Sequence, residues 1–149
     1  RRPGGPRVWL GLNPSPPVAT GLWVIGYGAW MLVSNAVLHW RGPWDFSRWH
    51  QMSLFATSLT VLAVGVLGPA AEELIFRGTA FHWLLPRIRP AATIVLTAVV
   101  WAILHVQYQP GIIALIVIDG VLLGLARYRT GSVVAPLLMH ILWNLYAVW

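Results

Sequence analysis

The 149-residue chain contains no cysteine, and only four of its residues are acidic. The missing thiols exclude disulfides, cysteine nucleophiles and thiolate metal sites. Lysine is absent too, so all ten basic residues are arginines. Charged residues make up 9% of the chain and hydrophobic residues 58%, whereas a soluble domain carries about 25% charged residues. So few charges cannot clothe a soluble fold of this size in polar surface. The apolar residues also run in long stretches, which makes lipid the expected solvent.

The net charge of +6 and a pI near 11.2 raise the question of nucleic acid. The arginines form no stripe and no basic helix, and none is expected to meet nucleic acid. They sit at the ends of apolar segments, as the positive-inside rule directs. Arg1, Arg2, Arg7, Arg87, Arg89, Arg127 and Arg129 fall on one side if the amino terminus is inside. Arg41 and Arg48, the latter near Asp45, fall on the other. That asymmetry predicts an integral protein of a bacterial inner membrane with its amino terminus in the cytoplasm. Trp40, Trp44, Trp49 and Trp149 lie near segment ends, where interfacial anchoring explains them.

Residues 1–17 are rich in Pro and Gly and read as a loop. Arg1 stands where Met would open a reading frame, so a fragment or trimmed chain is expected. Residues 18–149 read as one all-α transmembrane bundle of about five spans. The expected spans are Val18–Trp40, a long or re-entrant second helix from Met52 through Gly68-Pro69 to Leu85, Ala91–Val106, Gly111–Ala126 and Ser132–Trp149. The breaks fall at Gly42-Pro43, Pro86 to Pro90, Pro110-Gly111 and Thr130-Gly131, residues that interrupt helices. The first run is too long for a signal-peptide core of about 7–15 residues. No internal repeat is present, and no low-complexity tract beyond the amino-terminal loop.

Charges at bilayer depth cost at least about 2.5–3.5 kcal/mol each, so the exceptions are informative. Glu73 and Arg77 are four apart, share a helix face and are expected to pair. Glu72 points about 100° away and is left without a local partner. Two adjacent acids in separate environments suit acid/base chemistry; an ordinary ion pair at an interfacial helix end is the plain alternative. His105 closes the third span. If both arms of the Pro86–Pro90 turn are helical, Glu72 and His105 each sit roughly 24–26 Å from it and so at one level. His140 and Asn144 share one stripe of the last span, for oxyanion binding or merely for interhelical hydrogen bonds. Asp119, mid-span, is expected to be neutral or paired across helices, in a structural role. Gly120 and Gly124 beside it form a small-xxx-small pattern that lets helices pack closely. His39, His50 and His82 lie near expected interfaces and need no special role.

Taken in order, Glu72, Glu73 and Arg77, then His105, then His140 and Asn144 resemble the signature of the type II CAAX prenyl endopeptidase and bacteriocin-processing (CPBP, ABI) family of intramembrane proteases. The stretch from Gly124 to Ser132, leading to Pro136 and His140, looks like that family's approach to its last motif. The resemblance covers about residues 68–144. One departure is Trp101, where the family usually has Phe four residues before the middle histidine. The resemblance implies an intramembrane endopeptidase, without cofactor or metal, acting on a membrane-associated peptide or prenylated-protein substrate. Glu72 with His105 would position and deprotonate a water. His140 and Asn144 would donate to the oxyanion, and Arg77 would hold the acidic pair, chiefly Glu73. No serine shows a nucleophile-elbow context.

Three other readings remain open. Glu72, His105 and His140 have the donor types of a His₂Glu zinc hydrolase. The same fold could serve as an inactive scaffold or an immunity protein. A proton- or ion-coupled transporter would use Glu72 and Asp119, although the repeated halves expected of one are lacking. The substrate and the oligomeric state are not legible at this level.

Overall fold

The computed structural model describes residues 5–38 and 51–148. His39, Trp40, Arg41, Trp44, Asp45, Arg48, Trp49, His50 and Trp149 lie outside the described residues. The described residues form helices and no strand. In chain order these are α1 (Pro6–Trp9), α2 (Pro17–Leu38), α3 (Leu54–Leu84), α4 (Pro90–Ile103), α5 (Pro110–Thr130) and α6 (Val134–Val148). Helices α2, α3 and α5 are long and apolar enough to cross a membrane, and α4 and α6 are shorter apolar helices. The chain is an integral membrane protein built as an all-α bundle.

Proline starts four of these helices: Pro6, Pro17, Pro90 and Pro110 each occupy the first position. There the missing N–H costs nothing and the fixed φ favours the helix. Pro110 was expected only as a break. It opens a 21-residue helix, longer than the expected Gly111–Ala126. Helix α5 ends at Gly131, whose φ of 68° is the left-handed closing position that glycine adopts without strain. The Ser132 hydroxyl then accepts from Val134 N at 3.2 Å and starts α6.

The expected amino-terminal loop contains one helical turn, α1, and is bound to the bundle. Val133 N donates to Gly11 O at 2.8 Å, the Asn13 amide to Gly131 O at 3.1 Å, and the Ser132 hydroxyl to Asn13 O at 2.7 Å. Gly11, with φ 67°, lies against the Arg127 guanidinium, and a β-carbon there would come within 3.0 Å of it.

Helix α3 is continuous through Gly68-Pro69, but not uniformly α. Val61–Leu67 and Leu74–Ala80 are wide π-helical turns on either side of the acidic pair. π turns recur at functional sites. In the first, Gly68 N reaches back five residues to Ala63 O. The next such bond would run from residue 69 to Val64 O, but Pro69 has no N–H. Asn144 of α6 fills the gap, its amide donating to Val64 O at 2.9 Å.

Helices α4 and α5 pack through the expected small residues. A β-carbon at Gly120 would lie 2.9 Å from the Ala98 side chain, and one at Gly124 would lie 3.0 Å from Ile94. The core gathers Tyr27 and Met31 of α2, Phe76 of α3, Trp101 of α4, Leu123 and Ala126 of α5, and Met139 of α6.

Candidate active site

Glu73 lies at the centre. Its carboxylate is fully buried and Oε1 accepts from Arg77 Nη1 at 2.9 Å, the pairing that their spacing predicts. The same oxygen meets His140 Nδ1 at 2.9 Å. Arg77, also fully buried, donates through Nη2 to Gly120 O at 3.1 Å. Its guanidinium carbon stands 4.7 Å from the Trp101 ring centroid, a cation–π contact. Every face of the Arg77 head therefore meets α3, α4 or α5. Glu73 Oε2 and Arg77 Nε stay buried without a hydrogen-bond partner. Orphaned polar atoms of this kind are rare and mark sites under constraint.

Glu72 occupies the other environment, about a third exposed. Trp101 Nε1 donates to its Oε2 at 2.5 Å. His140 Nε2 lies 3.9 Å from the same oxygen. That gap is too long for a direct hydrogen bond and suits a bridging water. The two nitrogens of one imidazole thus face two adjacent carboxylates. With Nδ1 donating to the buried Glu73, Nε2 accepts when the ring is neutral and donates when it is a cation.

His105 departs from the expected geometry. Helix α4 ends at Ile103, so His105 lies in the following turn, its backbone N donating to Ala102 O at 3.0 Å. Its Nδ1 meets Trp101 O at 2.9 Å. A carbonyl only accepts, so Nδ1 carries the proton in this assignment and Nε2 is the basic nitrogen. The Trp101 ring packs edge-on against His105 at 5.1 Å and against His140 at 5.2 Å, centroid to centroid. Trp101 therefore touches Glu72, Arg77 and both histidines. It was expected only as a packing aromatic, and its indole N–H was not legible as a partner of Glu72. Asn144 lies one turn beyond His140 on α6, with one amide hydrogen committed to Val64 O.

Asp119 is paired across helices, as one of its two expected states required. Its Oδ1 accepts from Trp30 Nε1 at 2.8 Å, and the Tyr27 hydroxyl turns to the same carboxylate. Neither aromatic stands out in the α2 sequence, because an apolar span with aromatics needs no polar partner. Arg127, expected as a free charge at a helix end, is instead buried. Its Nε donates to Arg77 O at 2.7 Å and its head lies over Phe81 at 5.5 Å. Among the described residues, no three His, Asp or Glu side chains stand close enough together to share a metal ion.

Comparison with known proteins bears on the same residues. The model of a family described as "Type II CAAX prenyl endopeptidase Rce1-like" matches residues 53–146. A curated Escherichia coli relative, described as an uncharacterized 24.3 kDa protein, is 28% identical over 133 residues, covering 86% of this chain. The chain spans 60% of that relative's length. No solved structure matches.

Proposed function

Given that the chain belongs to the Rce1-like family of type II CAAX prenyl endopeptidases, we propose that it is an intramembrane endopeptidase that hydrolyses a membrane-associated peptide or protein through an activated water. The observation that carries this reading is the single imidazole of His140, fixed to Glu73 on one side and facing Glu72 across 3.9 Å on the other.

Glu72 is the general base. Water between Glu72 Oε2 and the histidines gives a proton to the carboxylate and attacks the scissile carbonyl. The basic Nε2 of His105 orients that water. As the tetrahedral oxyanion forms, the cationic His140 ring donates through Nε2, its charge balanced by Glu73, and the second amide hydrogen of Asn144 adds a donor. Such donors contribute about 3–4 kcal/mol each in a site shielded from water. Glu72 then passes its proton to the departing amine. No bond to the enzyme forms at any step. The assignment places the site in a bacterial inner membrane, with the amino terminus on the cytoplasmic side.

The test is reconstitution in liposomes with a peptide library, read by mass spectrometry in ¹⁸O-labelled water. The expected result is cleavage by the native chain, one labelled oxygen in the new carboxylate, and no cleavage by Glu72→Ala or His140→Ala. Chelators should leave the rate unchanged. Undiminished cleavage by either variant removes the assigned roles, and chelator-sensitive cleavage favours the zinc reading instead.

A further inference from the structure

The proposed chemistry leaves Asp119, Tyr27 and Trp30 unused, yet they form one buried polar group. Asp119 is 3% exposed at mid-helix in α5. Its hydrogen-bond partners, Tyr27 and Trp30, both come from α2. Beside them a cleft of about 460 Å³, lined by Trp23, Tyr27, Trp30, Leu122 and Met139, separates α2 from α5 and α6. Packing alone therefore does not fasten α2 there.

The residue after Asp119 is Gly120, whose carbonyl receives Arg77 Nη2. Arg77 in turn holds Glu73, and Glu73 holds His140. Asp119 also lies within electrostatic range of His140, and Tyr27 within range of Glu73 and Arg77. The contacts run without a gap from α2 to the imidazole that faces Glu72.

We infer that Asp119 is a positioning residue: clasped by Trp30 and Tyr27, it fixes the stretch of α5 whose Gly120 carbonyl seats Arg77, and through Arg77 and Glu73 it sets the place of the His140 ring. The clasp works by hydrogen bonding rather than by net charge. Asparagine would keep an acceptor for Trp30 and offer its amide hydrogens to the Tyr27 oxygen. Leucine would leave both donors buried and unpaired. The catalytic consequence rests on the proposed peptidase reading; the positional consequence does not.

Two measurements separate these. In liposomes, on the best-cleaved library peptide, Asp119→Leu should lower kcat about tenfold with KM within about twofold, since small misplacements of reacting groups cost rate steeply. Asp119→Asn should stay within about threefold of the native kcat. In detergent micelles, ¹⁵N NMR should show slowly exchanging Arg77 guanidinium hydrogens in the native chain and in Asp119→Asn. Exchange should be about tenfold faster in Asp119→Leu and in Trp30→Phe, which removes one arm of the clasp without touching Arg77. Should Asp119→Leu not fold, Trp30→Phe carries the same reading in both assays. Unchanged exchange and kcat in these variants overturn the clasp. An Asp119→Asn chain as impaired as Asp119→Leu overturns the hydrogen-bonding account. Faster exchange in a chain that cleaves nothing leaves the clasp standing and sinks the peptidase reading.

Discussion

Replacing Arg77 with Met tests whether the acidic pair depends on that one guanidinium. The Glu73 carboxylate would remain fully buried, with His140 as its remaining partner and Oε2 already unpaired. Removing one member of a buried ion pair costs about 3–5 kcal/mol, a factor of between two and four powers of ten in the folding equilibrium at ~1.4 kcal/mol per tenfold. Against a total stability of about 5–15 kcal/mol, that is a large fraction. Glu73→Leu should cost a similar amount, eased by the Gly120 carbonyl and the Trp101 face that still receive Arg77. The double variant removes both charges and leaves chiefly the His140 Nδ1 without a partner, about 1–3 kcal/mol. It should therefore be more stable than either single variant, although catalytically dead. Reversible unfolding in mixed micelles of rising SDS content, followed by circular dichroism, measures all three. A double variant whose loss equals the sum of the single losses would refute the view that the two groups chiefly compensate each other's burial.

Trp101→Phe keeps the ring between His105 and His140 and deletes the N–H that holds Glu72; kcat on the best-cleaved peptide should fall by no more than about tenfold, since a hydrogen bond to a charged group contributes roughly 1.5–3 kcal/mol at most. Complete loss would mean that the indole N–H, rather than the ring, organises the base. Asn144→Ala should lower stability by about 1 kcal/mol through the exposed Val64 carbonyl, while kcat falls about 10²–10³-fold if its second amide hydrogen serves the oxyanion. A kcat loss below tenfold in the same assay would reduce Asn144 to a brace for the wide turn.

The local pairings were legible because they obey helix periodicity. Glu73 and Arg77 lie four apart and pair as expected, and Gly120 and Gly124 mark the close approach of α4 and α5. His140 and Asn144 share an inward stripe, and both find hydrogen-bond partners on α3. Contacts between distant helices were not legible. The bond from His140 to Glu73 spans 67 residues and that from Trp30 to Asp119 spans 89, and nothing in the intervening sequence encodes a rotation about either helix axis. His105 was expected on a helix, and the early end of α4 at Ile103 left it in a turn. The partner of Asn144 depended on a π turn and a missing proline N–H together, which a reading based on 3.6 residues per turn cannot anticipate.

The wide turn at Val61–Leu67 has a consequence for how this helix tolerates change. Deleting a single residue there would let the backbone close into ordinary α geometry, at almost no cost in length. Everything downstream would swing by about 100°. The acids and Arg77 would then look out at acyl chains, while the hydrophobic profile of the segment stayed nearly the same. A one-residue gap in this stretch of an otherwise well-aligned homologue is thus a sharper sign of a silenced centre than many substitutions elsewhere.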